Sequence, residues 1–143
     1  MEEIMLLKTD ALRAYAEMLD AFDAEDFLPL LAEDFHYESQ WVFSEIKSKQ
    51  EFVPYITRNL LVMRASGKRV WAELGHCIWG PCVVIAEDER DNLTATVVVE
   101  VEGDKITRLD WCCIPSQFLA QRSGEYPRCS EVKESYSQLH RQS

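Results

Sequence analysis

No stretch of this 143-residue chain stays apolar over the ~20 residues that a membrane-spanning helix requires. Basic residues are also scarce: 15 Lys and Arg stand against 25 Asp and Glu, a formal charge of −10. That excess repels a phosphate backbone, and no basic stripe with interleaved aromatics offsets it. Nucleic acid and anionic membrane surfaces are therefore excluded as expected partners. Internal repeats and low-complexity stretches are lacking. The opening Met1–Lys8 is acidic and only briefly apolar, unlike a secretory leader, so the expected location is cytoplasmic. The five cysteines, Cys77, Cys82, Cys112, Cys113 and Cys129, are odd in number, which favours reduced core thiols over a disulfide frame. Adjacent Cys112 and Cys113 point to opposite faces of a strand, so only one of them could join Cys77 or Cys82 around zinc. No metal site and no cofactor is expected. The acidic run Glu87–Asp91 lacks the glycine-punctuated spacing of a calcium loop and reads as a solvated turn.

What is present is one domain's worth of core: 47% of the residues are hydrophobic. Leu12, Tyr15, Ala16, Leu19 and Phe22 recur at three- and four-residue steps, predicting a helix capped by Thr9 or Asp10. The acids of 23–26 open a predicted second helix with Phe27, Leu28, Leu30 and Leu31 on its buried side and Pro29 in its first turn. From Phe35 the period becomes two, with Phe35, Tyr37, Ser39, Trp41 and Phe43 facing inward and His36 and Glu38 outward. Ser48 and Glu51 form a capping box for a third helix that Gly67 ends. Strands follow over 69–78, 82–87, 93–102 and 105–114, broken at Trp79-Gly80-Pro81, 88–92 and Gly103-Asp104. Residues 1–115 read as the domain and 116–143 as a polar tail, with Val132, Tyr136 and Leu139 at the spacing of a short docking helix.

Three segments carry a resemblance to a known group. They are the Tyr15–Tyr37 stretch with its Ala32-Glu33-Asp34 helix exit, the helix start Lys47–Phe52, and Gly103–Arg108 at the last hairpin. Over residues 8 to 115 the chain resembles the nuclear transport factor 2-like superfamily, which includes ketosteroid isomerases and SnoaL-like polyketide cyclases. The resemblance implies an α+β cone: three N-terminal helices packed on a strongly bent, mainly antiparallel sheet of four to six strands. It also implies an apolar pocket and a homodimer through the outer sheet face, where Val98 lies. Against the isomerase branch the chain keeps a first-helix tyrosine, Tyr15, but Ser39 and Val97 stand where the two working aspartates are implied. A serine without an activating partner is no base, and valine cannot donate to an oxyanion.

Tyr15, Tyr37, Ser39, Trp41, Tyr55 and Trp111 are the expected pocket lining, suited to a flat or apolar small molecule. The candidate catalytic groups are Glu73, His76 and Asp110. If Trp71, Glu73 and Cys77 face the pocket, Glu73 is a buried carboxylate; if Val70, Ala72 and Leu74 do, His76 is the polar group inside. Asp110 alternates with the apolar set and pairs with Arg108 on the outer face, unless it works on the last strand as in other branches of the superfamily. The sequence thus supports a small-molecule-binding domain first. A proton-transfer enzyme (isomerase, dehydratase or cyclase) and a protein-association module with a vestigial pocket are the alternatives.

Overall fold

The computed structural model describes residues 5–39, 45–67, 69–112 and 120–127. Helix α1 spans Lys8–Ala21 and buries Leu12, Tyr15, Ala16 and Leu19 along the stripe that the sequence shows. Its start differs from expectation. Leu7 is the N-cap and supplies no side-chain acceptor, so Thr9 and Asp10 lie inside the first turn, where Asp10 complements the helix dipole. Phe22 ends α1 in the left-handed conformation, φ 54°, and the Asp23 N–H reaches back to the Met18 carbonyl at 3.0 Å. Arg64 donates to the Phe22 carbonyl at 3.1 Å, satisfying a helix-end acceptor that lacks an intrahelical partner.

The expected second helix is corrected to a turn and a single 3₁₀ turn, Leu28–Leu30. The Asp23 carboxylate accepts the Glu25 N–H at 2.9 Å, a local turn that competes with helix, and Pro29 contributes no N–H. The segment is also too short for propagation to offset nucleation. Strand β1, Leu31–Ser39, therefore begins four residues before Phe35. Two α-helices, not three, are found among the described residues. The second, α2, spans Lys49–Ser66; the Ser48 hydroxyl accepts the Glu51 N–H at 3.1 Å, and Gly67 closes it at φ 72°.

The remaining strands are β2 (Glu45–Ile46), β3 (Val70–Cys77), β4 (Gly80–Glu87), β5 (Leu93–Glu102), β6 (Lys105–Cys112) and β7 (Gln121–Arg122). They form one seven-stranded sheet in the order β2-β1-β6-β5-β4-β3-β7, larger than expected by its two-residue edge strands. Every pairing is antiparallel except β1 with β6. Strand β7 lies beyond the expected domain boundary at 115. The expected helix over 132–139 lies outside the described residues.

Register decides which side chains meet. Ser39, Trp111, Val97, Val83 and Leu74 form one row across five strands, and Tyr37, Leu109 and Val99 the next. This inner face is covered by α1, which packs on β3, β4 and β5, and by α2, which packs on β1. Phe52 of α2 stands edge-on to Phe35 at 4.9 Å and tilts against Tyr37 at 5.4 Å. The outer face carries Glu38, Asp110 and Val98 in one row and Cys112, Thr96, Val84 and Glu73 in another.

Part of that outer face is covered by the chain itself. Residues 120–127 run along β3: the Leu74 N–H donates to the Glu125 carbonyl at 2.9 Å, and the Ser123 N–H donates back to the Leu74 carbonyl at 3.1 Å. The approach depends on Gly75, where a Cβ would sit 2.7 Å from the Gln121 carbonyl oxygen and 3.0 Å from a Val84 methyl. Gly75→Ala is expected to destabilise by about 1–3 kcal/mol. It should also raise amide exchange over 120–127 while leaving β5 and β6 protected, which hydrogen–deuterium exchange would resolve.

Candidate functional site

A cavity of about 310 Å³ lies between the helices and the inner sheet face. Tyr15 and Leu19 of α1, Tyr37 and Ser39 of β1, Phe52, Tyr55, Asn59 and Met63 of α2, and Trp111 of β6 line it. Tyr15, Tyr37, Ser39, Tyr55 and Trp111, which the sequence places on a common wall, thus border one hollow. Trp41 lies outside the described residues. Asn59, Met63, Glu87 and Thr94 also reach the cavity and were not among the expected lining, although Met63 continues the apolar stripe of α2. Their signals were α2's helical spacing and the strand ends flanking the 88–92 hairpin.

The electrostatics of the wall are plain. Among the described residues, no Lys, Arg or His borders the cavity, and Glu87 is the carboxylate on it. Tyr15 is buried, 2% exposed, and its ring stands edge-on to Phe27 at 5.6 Å. Burial, first, and then the neighbouring Tyr37 and Tyr55 push its phenol well above the usual tyrosine value, so it stays protonated. No hydrogen bond fixes that hydroxyl among the described residues.

The three candidate catalytic groups stand elsewhere. Strand β3 turns Val70, Ala72 and Leu74 inward, which resolves the face left open by the sequence. His76 shares their parity but lies near the strand's end and is exposed. Glu73 is 3% exposed on the opposite face, and residues 120–127 enclose it. The Arg122 guanidinium donates to its Oε1 at 2.7 Å, the Tyr126 hydroxyl to the same oxygen at 3.0 Å, and the Gly124 N–H to Oε2 at 2.6 Å. Arg122 also reaches Asp91 and the Arg90 carbonyl, each at 2.7 Å, while the Arg90 guanidinium lies 4.6 Å from the Trp71 ring and 5.2 Å from the Tyr126 ring. Asp110 is on the outer face, gripped by Arg108 at 2.9 and 3.0 Å. It borders a larger hollow of about 620 Å³, together with Glu38, Glu45, Glu100, Trp79 and Lys8.

One titratable group, Asp20, was not singled out in the sequence, and the described cysteines lie as core thiols, as expected. Asp20, in the last turn of α1, accepts the Ala72 N–H at 2.9 Å through Oδ1, while Oδ2 is buried with no partner. Desolvation raises its carboxyl to about 8, against the weaker lowering effect of that hydrogen bond. The available signal was its place four residues after buried Ala16, in register with the apolar stripe. Cys77 and Cys82 are buried and Cys112 half-buried; burial, then Cys77, pushes the Cys82 thiol up to about 12, unsuited to nucleophilic work. Among the described residues, no helix is long and apolar enough to cross a membrane.

No family model matches the sequence, and no curated protein matches it. Solved structures do match its fold. An NTF2-like protein of unknown function from Cytophaga hutchinsonii superposes with a TM-score of 0.55 at 10% identity, over 80% of this chain and 96% of the other. A SnoaL-like protein of unknown function from Burkholderia thailandensis gives 0.55 at 14% identity, over 82% and 95%. A candidate polyketide cyclase from Sinorhizobium meliloti gives 0.52 at 12% identity, over 71% and 93%.

Proposed function

Taking the nuclear transport factor 2-like fold as premise, we propose that this protein binds an uncharged, mainly apolar small molecule in the 310 Å³ cavity. The observation that carries the reading is the Tyr15 phenol: buried, protonated, bordering the cavity and without a hydrogen-bond partner among the described residues. The hydroxyl is not among the buried side-chain atoms left without a partner, so it faces the cavity, where a ligand carbonyl or hydroxyl oxygen accepting from it contributes about 0.5–1.5 kcal/mol. The volume falls at the small end of ligand pockets, roughly 300–1,000 Å³. Among the described residues Glu87 is the charged group on the wall and no cation stands beside it, an arrangement that favours a neutral ligand over an anionic one.

Proton-transfer catalysis is the second reading, since a candidate polyketide cyclase shares the fold. It would have to use Glu87, because Glu73, His76 and Asp110 do not border this cavity. The test is a panel of neutral aromatic ketones and phenols, with binding followed by quenching of tryptophan fluorescence. Tyr15→Phe is expected to weaken an oxygen-bearing ligand about tenfold while leaving its deoxy analogue unchanged. Equal loss for both, or for neither, would refute the donor role. Turnover of a bound ketone that Glu87→Gln abolishes would move the reading to catalysis.

A further inference from the structure

Strand β1 presents His36 and Glu38 on its outer face, and the short β2 brings Glu45 directly opposite Glu38 in the antiparallel register. Two carboxylates facing each other across a ladder repel, and something must hold them. His36 Nε2 lies between them, 3.1 Å from Glu38 Oε1 and 3.1 Å from Glu45 Oε1, and the exposed Lys47 ammonium stands farther off, 3.9 Å from the same Glu45 oxygen. One Nε2–H cannot serve two carboxylates well, and an unprotonated Nε2 would turn its lone pair toward both.

Those separations suit a cation. Ligand atoms about 2.0–2.1 Å from a tetrahedral metal stand roughly 3.3 Å apart, and these three atoms already lie within 4.8 Å of one another. We propose that His36, Glu38 and Glu45 form a binding site for a divalent first-row transition-metal ion, separate from the cavity beside Tyr15. The imidazole selects against Mg²⁺ and Ca²⁺, which prefer all-oxygen shells, and the carboxylate pair supplies the charge that a dication needs. An outer shell is in place: Arg108 donates to the second oxygen of Glu38 at 3.2 Å, leaving Oε1 for the metal. Glu38 and Glu45 both border the 620 Å³ hollow, which gives water or an organic ligand access to the ion.

The test is Co²⁺ titration of the purified full chain, followed by visible absorption, which separates nitrogen–oxygen ligation from thiolate ligation. One equivalent with a nitrogen–oxygen spectrum is expected. His36→Ala and Glu45→Gln should each weaken it at least tenfold, and His76→Ala should leave it unchanged. Thermal unfolding in metal-free buffer checks that each variant folds; if His36→Ala does not, the exposed Glu45→Gln alone decides. Absence of a stoichiometric ion, a thiolate spectrum, or parental affinity in Glu45→Gln would each overturn the site.

Discussion

Replacing Arg122 by methionine is expected to lower the unfolding free energy by about 2–4 kcal/mol and to release residues 120–127 from β3. Glu73 is buried, and Arg122 is the cation that balances it, at 2.7 Å. Removing one partner of a buried pair leaves an uncompensated charge, which costs more than the pair contributes. The guanidinium is itself 29% exposed, and Glu73 keeps the Tyr126 hydroxyl and the Gly124 N–H, so the loss falls short of the ~5 kcal/mol extreme. The diagnostic comparison adds Glu73→Gln to Arg122→Met. Neutralising the orphaned carboxylate should return about half of the loss in urea unfolding. A double variant as unstable as the sum of its singles would refute the pairing.

Asp20→Asn is expected to reshape the pH profile. The Asp20 carboxyl is raised from 3.8 to about 8, so between those values the folded chain holds a proton that the unfolded chain has released. The unfolded state then binds fewer protons, and stability falls as pH rises, by up to roughly 1.4 kcal/mol per pH unit from this group. Below the unfolded value the penalty is absent; above about 8 it is complete and constant. Asparagine keeps an oxygen for the Ala72 N–H and never ionises. The variant should therefore match the parent within about 1 kcal/mol near pH 4 and exceed it by about 2–4 kcal/mol near pH 8, the area of Asp20 still open to solvent reducing the full value. Unfolding curves across that range check it, and parallel profiles would show that Asp20 titrates normally.

Much of the scaffold was legible because it is written in local periods. The two-residue period of Phe35, Tyr37 and Ser39 placed all three on the buried face, and Ser48 with Glu51 fixed the start of α2. The second helix was misread for a local reason as well: the acids of 23–26 resemble a helix start, but the Asp23 side chain turns the backbone instead. The face of β3 was illegible in principle. Both of its alternating sets are largely buried, one by the helices and one by residues 120–127, so hydrophobicity does not mark the inner side.

By itself the sequence determined helices α1 and α2, the alternating faces of β1 and the excess of acidic residues, since composition and local periods carry them. Only the tertiary structure decided that Glu73 anchors residues 120–127, that Asp20 holds one carboxylate oxygen buried without a partner, and that His36 sits between Glu38 and Glu45. Glu73 meets Arg122 across 49 residues and Asp20 meets Ala72 across 52. No local period encodes such meetings; strand register and the packing of α1 on the sheet create them.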